Sequence, residues 1–183
     1  MAGSEKKAKR DVVKRHQFAD YLNIATEETP EFVLMGTGFK TLDEEPGAKT
    51  ESKKYVNEKA SSSSVVGYET VFPFDSDLIK EEPAVIALYN VGRNHYTGSD
   101  AEFEYVRVEL WEPAENKLNE FAARKFIVST EVSEISGEND ISVSGNLNAV
   151  GDFVPGTFNT KTRTFTPADD EAGGENTEDQ PTE

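Results

Sequence analysis

Two histidines, two aspartates spaced by one residue, three glycines and many carboxylates are the groups in this chain that could do chemistry. His16 lies in a basic N-terminal stretch and His95 in the loop "GRNHYTGSD". A zinc site would need more nitrogen or sulfur ligands, or carboxylates at the right geometry. The chain has no cysteine, so both histidines read as exposed loop residues. Asp75 and Asp77 in "FDSDL" could begin a calcium loop, but the glycine and the bidentate glutamate of that motif are missing at their offsets. The stretch reads instead as a turn with a helix-capping acid. Paired carboxylates could hydrolyse a glycoside, yet with 35 Asp and Glu close acids arise without function. Trp111 and the tyrosines could stack sugars, but Tyr68, Tyr105 and Trp111 sit at strand spacing and read as core or interface. No serine occupies a nucleophile elbow. Gly145, Gly151 and Gly156 do not form a dinucleotide fingerprint, and no helix follows them. Glycines within strands mark bends, bulges or close backbone approach, so "SGNLNAVGDFVPGTFNTKTRTFTP" reads as wall, with "NTKT" as a turn. The residues make no case for an enzyme, a catalytic residue, a metal or a cofactor.

Charge says more. The net charge is −16, unevenly spread. Met1–His16 carries +4, Ala168–Glu183 carries −7, and the middle carries −13. An acidic middle argues against ordinary nucleic-acid binding, which needs basic surface to displace counterions. The missing thiols exclude disulfides and fit a reducing compartment. No apolar run approaches the ~20 residues of a membrane span, and no apolar segment follows the basic N-terminus as in a secretory signal. The expectation is a cytosolic chain with no membrane partner.

The elements that must position these residues are mainly strands. The chain divides into a basic N-terminal arm (1–17), a β domain (18–167) and an acidic C-terminal tail (168–183) too poor in apolar side chains to offset ordering entropy. Period-two alternation marks strands at Glu31–Phe39, Val65–Phe74, Ala101–Trp111, Ala123–Ser136 and Asp140–Leu147. In Ala101–Trp111, Phe103, Tyr105 and Trp111 oppose Val106, Val108 and Leu110, with Glu102 and Glu104 on the second face and Arg107 on the first. In Ala123–Ser136, Phe126, Val128, Thr130 and Val132 oppose Lys125, Ser129, Glu131 and Ser133. One wetted face per strand is expected for antiparallel sheets. "EEPAVIALYNVG" (Glu81–Gly92) predicts one helix, with Pro83 in its first turn, Gly92 at a left-handed C-terminus, and Val85, Leu88 and Tyr89 as its apolar stripe. Asp43–Ser64 reads as a long loop, well beyond the ~4–6 residues of most connections, with "KKYV" as a possible short strand. The fold class is an antiparallel β-sandwich or rolled barrel with one flanking helix.

Several segments taken together, "VKRHQFADYLN", "FVLMGTGFKTLDEEPGA", "KKYVNEKASSSSVVGYET", "FPFDSDLI" and "SGNLNAVGDFVPGTFN", resemble the major tail proteins, or tail tube proteins, of tailed phages and prophages of Gram-positive bacteria. The resemblance covers Val12–Thr166. It implies hexameric rings stacked into a tube through which the genome leaves the capsid. The implied location is the virion tail, after assembly in the host cytoplasm. The implied partners are further copies of the chain, the tail tip or baseplate, tape-measure and tail terminator proteins, and double-stranded DNA that slides past without specific binding. It also implies that the long loop and the termini bridge neighbouring subunits, which makes Lys53, Lys54, Tyr55, Val56, Arg10, Lys14 and Arg15 the expected contacts. An acidic lumen would repel phosphate at close range, since the field reaches about 8 Å at physiological salt. Glu131 and Glu134 are the expected lumen-facing acids, with Glu102, Glu104 and Glu109 of the neighbouring strand as the other candidates. Alternative readings are the tube of a genome-free phage-tail-like particle, or a monomeric β-sandwich that binds a carbohydrate or receptor through the His95 loop and Trp111.

Truncation after Pro167 should leave the melting temperature within a few degrees of the full chain, because no large apolar side chain follows Phe165. A larger drop in a thermal scan would show that the tail packs.

Overall fold

A computed structural model describes residues 11–25, 28–57, 59–115 and 117–168. Its eleven strands are β1 (Phe18–Asn23), β2 (Phe32–Leu34), β3 (Phe39–Leu42), β4 (Ala48–Lys53), β5 (Ser62–Tyr68), β6 (Val71–Asp77), β7 (Glu102–Pro113), β8 (Glu120–Ser136), β9 (Ser142–Ala149), β10 (Val154–Asn159) and β11 (Thr164–Pro167). One helix, α1, spans Pro83–Asn94, and short 3-10 turns precede β1 and β7. Nine strands form one curled antiparallel sheet in the order β2-β1-β7-β8-β9-β6-β3, with β10 and β11 attached to β8. The expected rolled antiparallel sheet with one flanking helix is what forms.

The long strand β8 organises the curl. Along one edge it pairs with β7. Along the other, its first half pairs with β10 through Glu120–Lys125 and its second half with β9 through Val128–Ser136. A single strand therefore feeds two lobes. In the first, Leu22, Phe72, Phe74, Tyr105, Phe126, Val128, Val143 and Leu147 pack under the helix residues Ala84 and Leu88. In the second, Tyr21, Phe32, Val106, Val108, Ala123 and Phe158 pack together, with Phe165 against them.

The expectation of one wetted face per strand fails for β1 and β7. Tyr105 and Val106 point to opposite sides, and both are fully buried. The β10–β11 hairpin curls over the second face, so residues that alternate toward solvent elsewhere alternate here between two cores. The same hairpin answers the glycine-rich stretch, which is wall: Thr157 faces Thr166 and Phe158 faces Phe165 across it.

Other boundaries moved for local reasons. The stretch Glu31–Phe39 breaks into β2 and the start of β3 around a turn at Gly36–Gly38. The stretch Val65–Phe74 splits into β5 and β6, leaving Val66 and Tyr68 exposed while Phe72 and Phe74 are buried. The helix runs to Asn94, and His95 takes the left-handed cap at φ 54° that was expected of Gly92. Gly92 lies inside the helix, where a Cβ would collide with the Val132 side chain.

The curled sheet does not close by backbone pairing between β2 and β3. Side chains tie the seam instead. Asp20, 1% exposed, accepts hydrogen bonds from Tyr105 Oη at 2.6 Å, Arg107 Nε at 2.8 Å and Arg15 Nη2 at 2.6 Å. Arg107 also donates to the Leu42 carbonyl at 2.9 Å, and its guanidinium lies over the rings of Phe72 and Phe18. Arg124 donates to both oxygens of Glu44, at 2.7 and 2.9 Å. Burial and the Asp20 charge push the Tyr105 hydroxyl well above its ordinary pKa. Burial opposes ionisation of Glu44, but Arg124 and Arg107 outweigh it and hold that carboxyl below its ordinary range.

Asp20→Ala should destabilise the fold by about 3–5 kcal/mol, the cost of leaving a buried charge without its partner. Chemical denaturation measures this, and a loss under about 1 kcal/mol would mean that water reaches Arg107 and replaces Asp20.

Candidate functional site

One sheet face continues the second core but is not covered. Cross-strand partners point to the same side, so the register defines this face. Glu102 lies opposite Ser129, and Ser129 opposite Asn148. Glu131 lies opposite Asn146, and Glu134 opposite Ser144. Further across, Ser144 meets Asp75 and Ser142 meets Asp77. The face carries Ser, Asn and carboxylates, with Val71, Pro73 and Ile127 among them, and is backed directly by the first core.

A bulge completes it. Glu131 and Glu134 are three residues apart, which in a regular strand would put them on opposite sides. The register of β8 against β9 shifts between Val132 and Glu134. The extra residue, Ser133, returns Glu134 to the side of Glu131 and keeps Val132 and Ile135 on the other. Gly145 of β9 sits opposite the bulge, where a Cβ would collide with the Glu131 carbonyl. The sequence offered both acids, but only the bulge makes them neighbours. Charge on the β6 side of the face is partly compensated. Lys40 reaches Asp75 at 3.3 Å and Asp77 at 3.0 Å, and the hydrogen bond it donates to Asp77 helps hold its ammonium pKa above the ordinary value. Glu104 does not stand free on the face, because it binds Lys125 at 2.8 Å and Asn23 at 3.0 Å. Glu109 lies 3.7 Å from Arg124.

The segment read as a long loop is a ribbon. The β3–β6 ladder continues through Asp43, Glu45 and Gly47, which bond Pro73, Val71 and Glu69, and then becomes the β4–β5 pair. One bent hairpin therefore runs from Phe39 to Ser76. The bend falls at Gly47, with φ 62°, against the Glu69 carbonyl where no Cβ fits. Val65–Tyr68 of the ribbon lie in a stretch with strand alternation, but Asp43–Ser64 is rich in hydroxyls and charges, buries no side chain among its described residues and shows no apolar stripe. Val65, Val66 and Tyr68 on it are exposed.

Lys53 ends β4, while Lys54, Tyr55 and Val56 follow in the exposed tip. "KKYV" is not a strand beyond Lys53. Arg10 and the tail from 169 onward lie outside the described residues. Lys14 caps the 3-10 turn before β1. Arg15 is bound within its own chain at Asp20, with 52% of its side chain exposed. Trp111 packs edge-on against Phe18 at 4.4 Å, and His95 caps α1 with its side chain exposed. A groove of about 690 Å³ at the β2–β3 seam is lined by Phe18, Met35, Phe39 and Leu42.

No protein-family model and no curated protein sequence matches the chain. Solved structures do. The tail tube of SPP1, determined by solid-state NMR and cryo-EM, superposes with a TM-score of 0.60 at 13% identity, covering 79% of this chain and 78% of that one. The baseplate of the anti-feeding prophage matches with a TM-score of 0.46 at 10% identity, over 80% of this chain and 96% of that one. The likeness to the SPP1 chain shows a shared fold.

Removing Lys49–Ser62 and closing the ribbon with a short turn should leave the melting temperature within a few degrees, because β4 is exposed along its whole length. A cooperative transition many degrees lower, read by circular dichroism, would show that the ribbon supports the body.

Proposed function

We infer that the chain is the structural subunit of a phage tail tube. Copies close into hexameric rings, the rings stack, and the genome passes through the lumen. The observation that carries this reading is the uncovered Ser/Asn/carboxylate face backed by a packed core, in a chain that shares its fold with a tail tube protein. A wall for sliding DNA needs that chemistry. Carboxylates repel phosphate within about 8 Å, hydroxyls and amides stay hydrated, and no lysine row captures DNA by counterion release. Glu131 and Glu134 are the lumen acids in this reading.

The ribbon and the termini make the contacts between subunits. Both outer edges of the β4–β5 pair are unpaired among the described residues, and such edges are templates for strand addition. Lys53, Lys54, Tyr55 and Val56 at the tip, together with Arg10 and Lys14 of the arm, meet neighbouring copies. The opposite charges of the two chain ends suit head-to-tail stacking, which builds an open filament rather than a closed pair. Tail tip or baseplate, tape-measure and tail terminator proteins bound the tube. The particle is assembled in the host cytoplasm.

Replacing Glu131 and Glu134 with lysine should change stability by only ~0.5 kcal/mol, since both are exposed, and tubes should still form under the electron microscope. Particles carrying them should eject DNA slowly at low salt, with the delay relieved as salt is raised. Normal ejection at low salt would remove β8 from the lumen, and a wild-type chain that stays monomeric at high concentration would remove the tube.

A further inference from the structure

Asn23, Glu104 and Lys125 stand side by side on three adjacent strands. The pairing of Leu22 with Tyr105 sets Asn23 beside Glu104, and that of Val106 with Lys125 sets the lysine one step along. Each oxygen of the Glu104 carboxylate holds one nitrogen. Oε1 accepts from Lys125 Nζ at 2.8 Å, and Oε2 accepts from Asn23 Nδ2 at 3.0 Å. The other end of the Asn23 amide is also occupied. Its Oδ1 accepts the backbone N–H of Ala25 at 3.1 Å and of Glu31 at 2.8 Å. The Lys125 and Glu104 side chains are 27% and 28% exposed, and the lysine amine lies 5.4 Å from the Phe165 ring centre.

These groups have the parts of an acyl-transfer site. Two N–H donors on a carbonyl oxygen polarise the carbon and stabilise the oxyanion that forms when a nucleophile adds. A primary amine is a nucleophile once it loses its proton to an adjacent base. One carboxylate touching both the nucleophile and the leaving nitrogen can take a proton from the first and hand it to the second. A structural Lys–Glu pair would need no carboxamide on the second oxygen, and a loop-capping Asn would need no lysine.

We propose that Lys125 and Asn23 form an intramolecular isopeptide bond, with Glu104 as the proton carrier. Glu104 takes a proton from the Lys125 ammonium, and the freed Nζ adds to Asn23 Cγ. The negative charge on Oδ1 is held by the N–H groups of Ala25 and Glu31. The Cγ–Nδ2 bond then breaks. Of the ammonium's protons, one stays on the new amide nitrogen and the others pass through Glu104 to Nδ2, which departs as ammonium. Nothing is oxidised or reduced, and no co-reactant is needed. The product staples β1 to β8 across β7, at the strands that carry both cores. This inference does not depend on the tube reading.

Intact-mass spectrometry of the purified full chain tests it. The wild type should be lighter than its sequence by one ammonia. A protease digest should contain a branched peptide joining the Asn23 and Lys125 fragments, with no cleavage after Lys125. Lys125→Arg keeps the charge and the contact with Glu104 but should show the full mass. Glu104→Gln keeps the side-chain shape, cannot carry the proton, and should also show the full mass; a wild-type-like mass loss in that variant would overturn the role of Glu104. A wild type at full mass after prolonged incubation, folded by circular dichroism and lacking the branched peptide, would overturn the bond.

Discussion

The buried carboxylate of Asp20 is the point on which the rest of the architecture depends. An open curled sheet has two free edges, and here the β2 and β3 edges do not pair. Asp20 on β1 collects Tyr105 and Arg107 from β7 and Arg15 from the N-terminal segment. Arg107 then carries the connection to the Leu42 carbonyl on β3 and to Glu44 just beyond it. A guanidinium suits this place because its fixed fork of donors serves several acceptors at once, and its flat faces lie over Phe72 and Phe18. Desolvating two charges is expensive, and a hydrophobic pair of similar volume can be as stable. What an apolar pair lacks is direction. The hydrogen bonds specify which strand end meets which, and so fix how far the sheet curls.

That curl decides which surfaces stay open. Strands β7 and β8 each pass from one environment to another along their length. Val106 and Val108 lie under the β10–β11 hairpin, while Glu102, on the same side, lies beyond its reach. Ala123 is buried with them, while Glu131 and Glu134 further along β8 are exposed. One face therefore changes from core to solvent without any strand ending. The bent hairpin makes a similar change at Gly47, from a half-buried sheet edge to a projecting ribbon. Both transitions leave a packed centre with a polar face and, among the described residues, an unpaired ribbon edge exposed to solvent.

Charge follows the same partition. The carboxylates that hold the fold are compensated by arginine: Asp20 by Arg107 and Arg15, and Glu44 by Arg124 and Arg107. On the open face Lys40 bridges Asp75 and Asp77 and Lys125 binds Glu104, while Glu102, Glu131 and Glu134 have no lysine or arginine within salt-bridge distance among the described residues. The acidity of the chain is thus a surface property, added to a fold whose internal charges are paired.

Alternation of apolar and polar residues determined the strand-rich class, the face assignments within β7 and β8, and the single helix. These are local properties: side-chain direction reverses at each strand residue, and a stripe recurs at each helical turn. Composition determined the uneven charge and excluded thiol chemistry. Tertiary structure decided what depends on partners distant in sequence. Asp20 and Arg107 each read as ordinary charged residues until strand pairing buries them together. The second core was invisible because a face that alternates away from one core looks wetted unless the returning hairpin is known. Most of the ribbon, Asp43–Ser64, reads as loop because its strands bury no side chains, so its order comes from a backbone ladder that carries no residue preference. Glu131 and Glu134 share a face only because β9 pairs across an extra residue at Ser133, and that register is set between strands rather than within one.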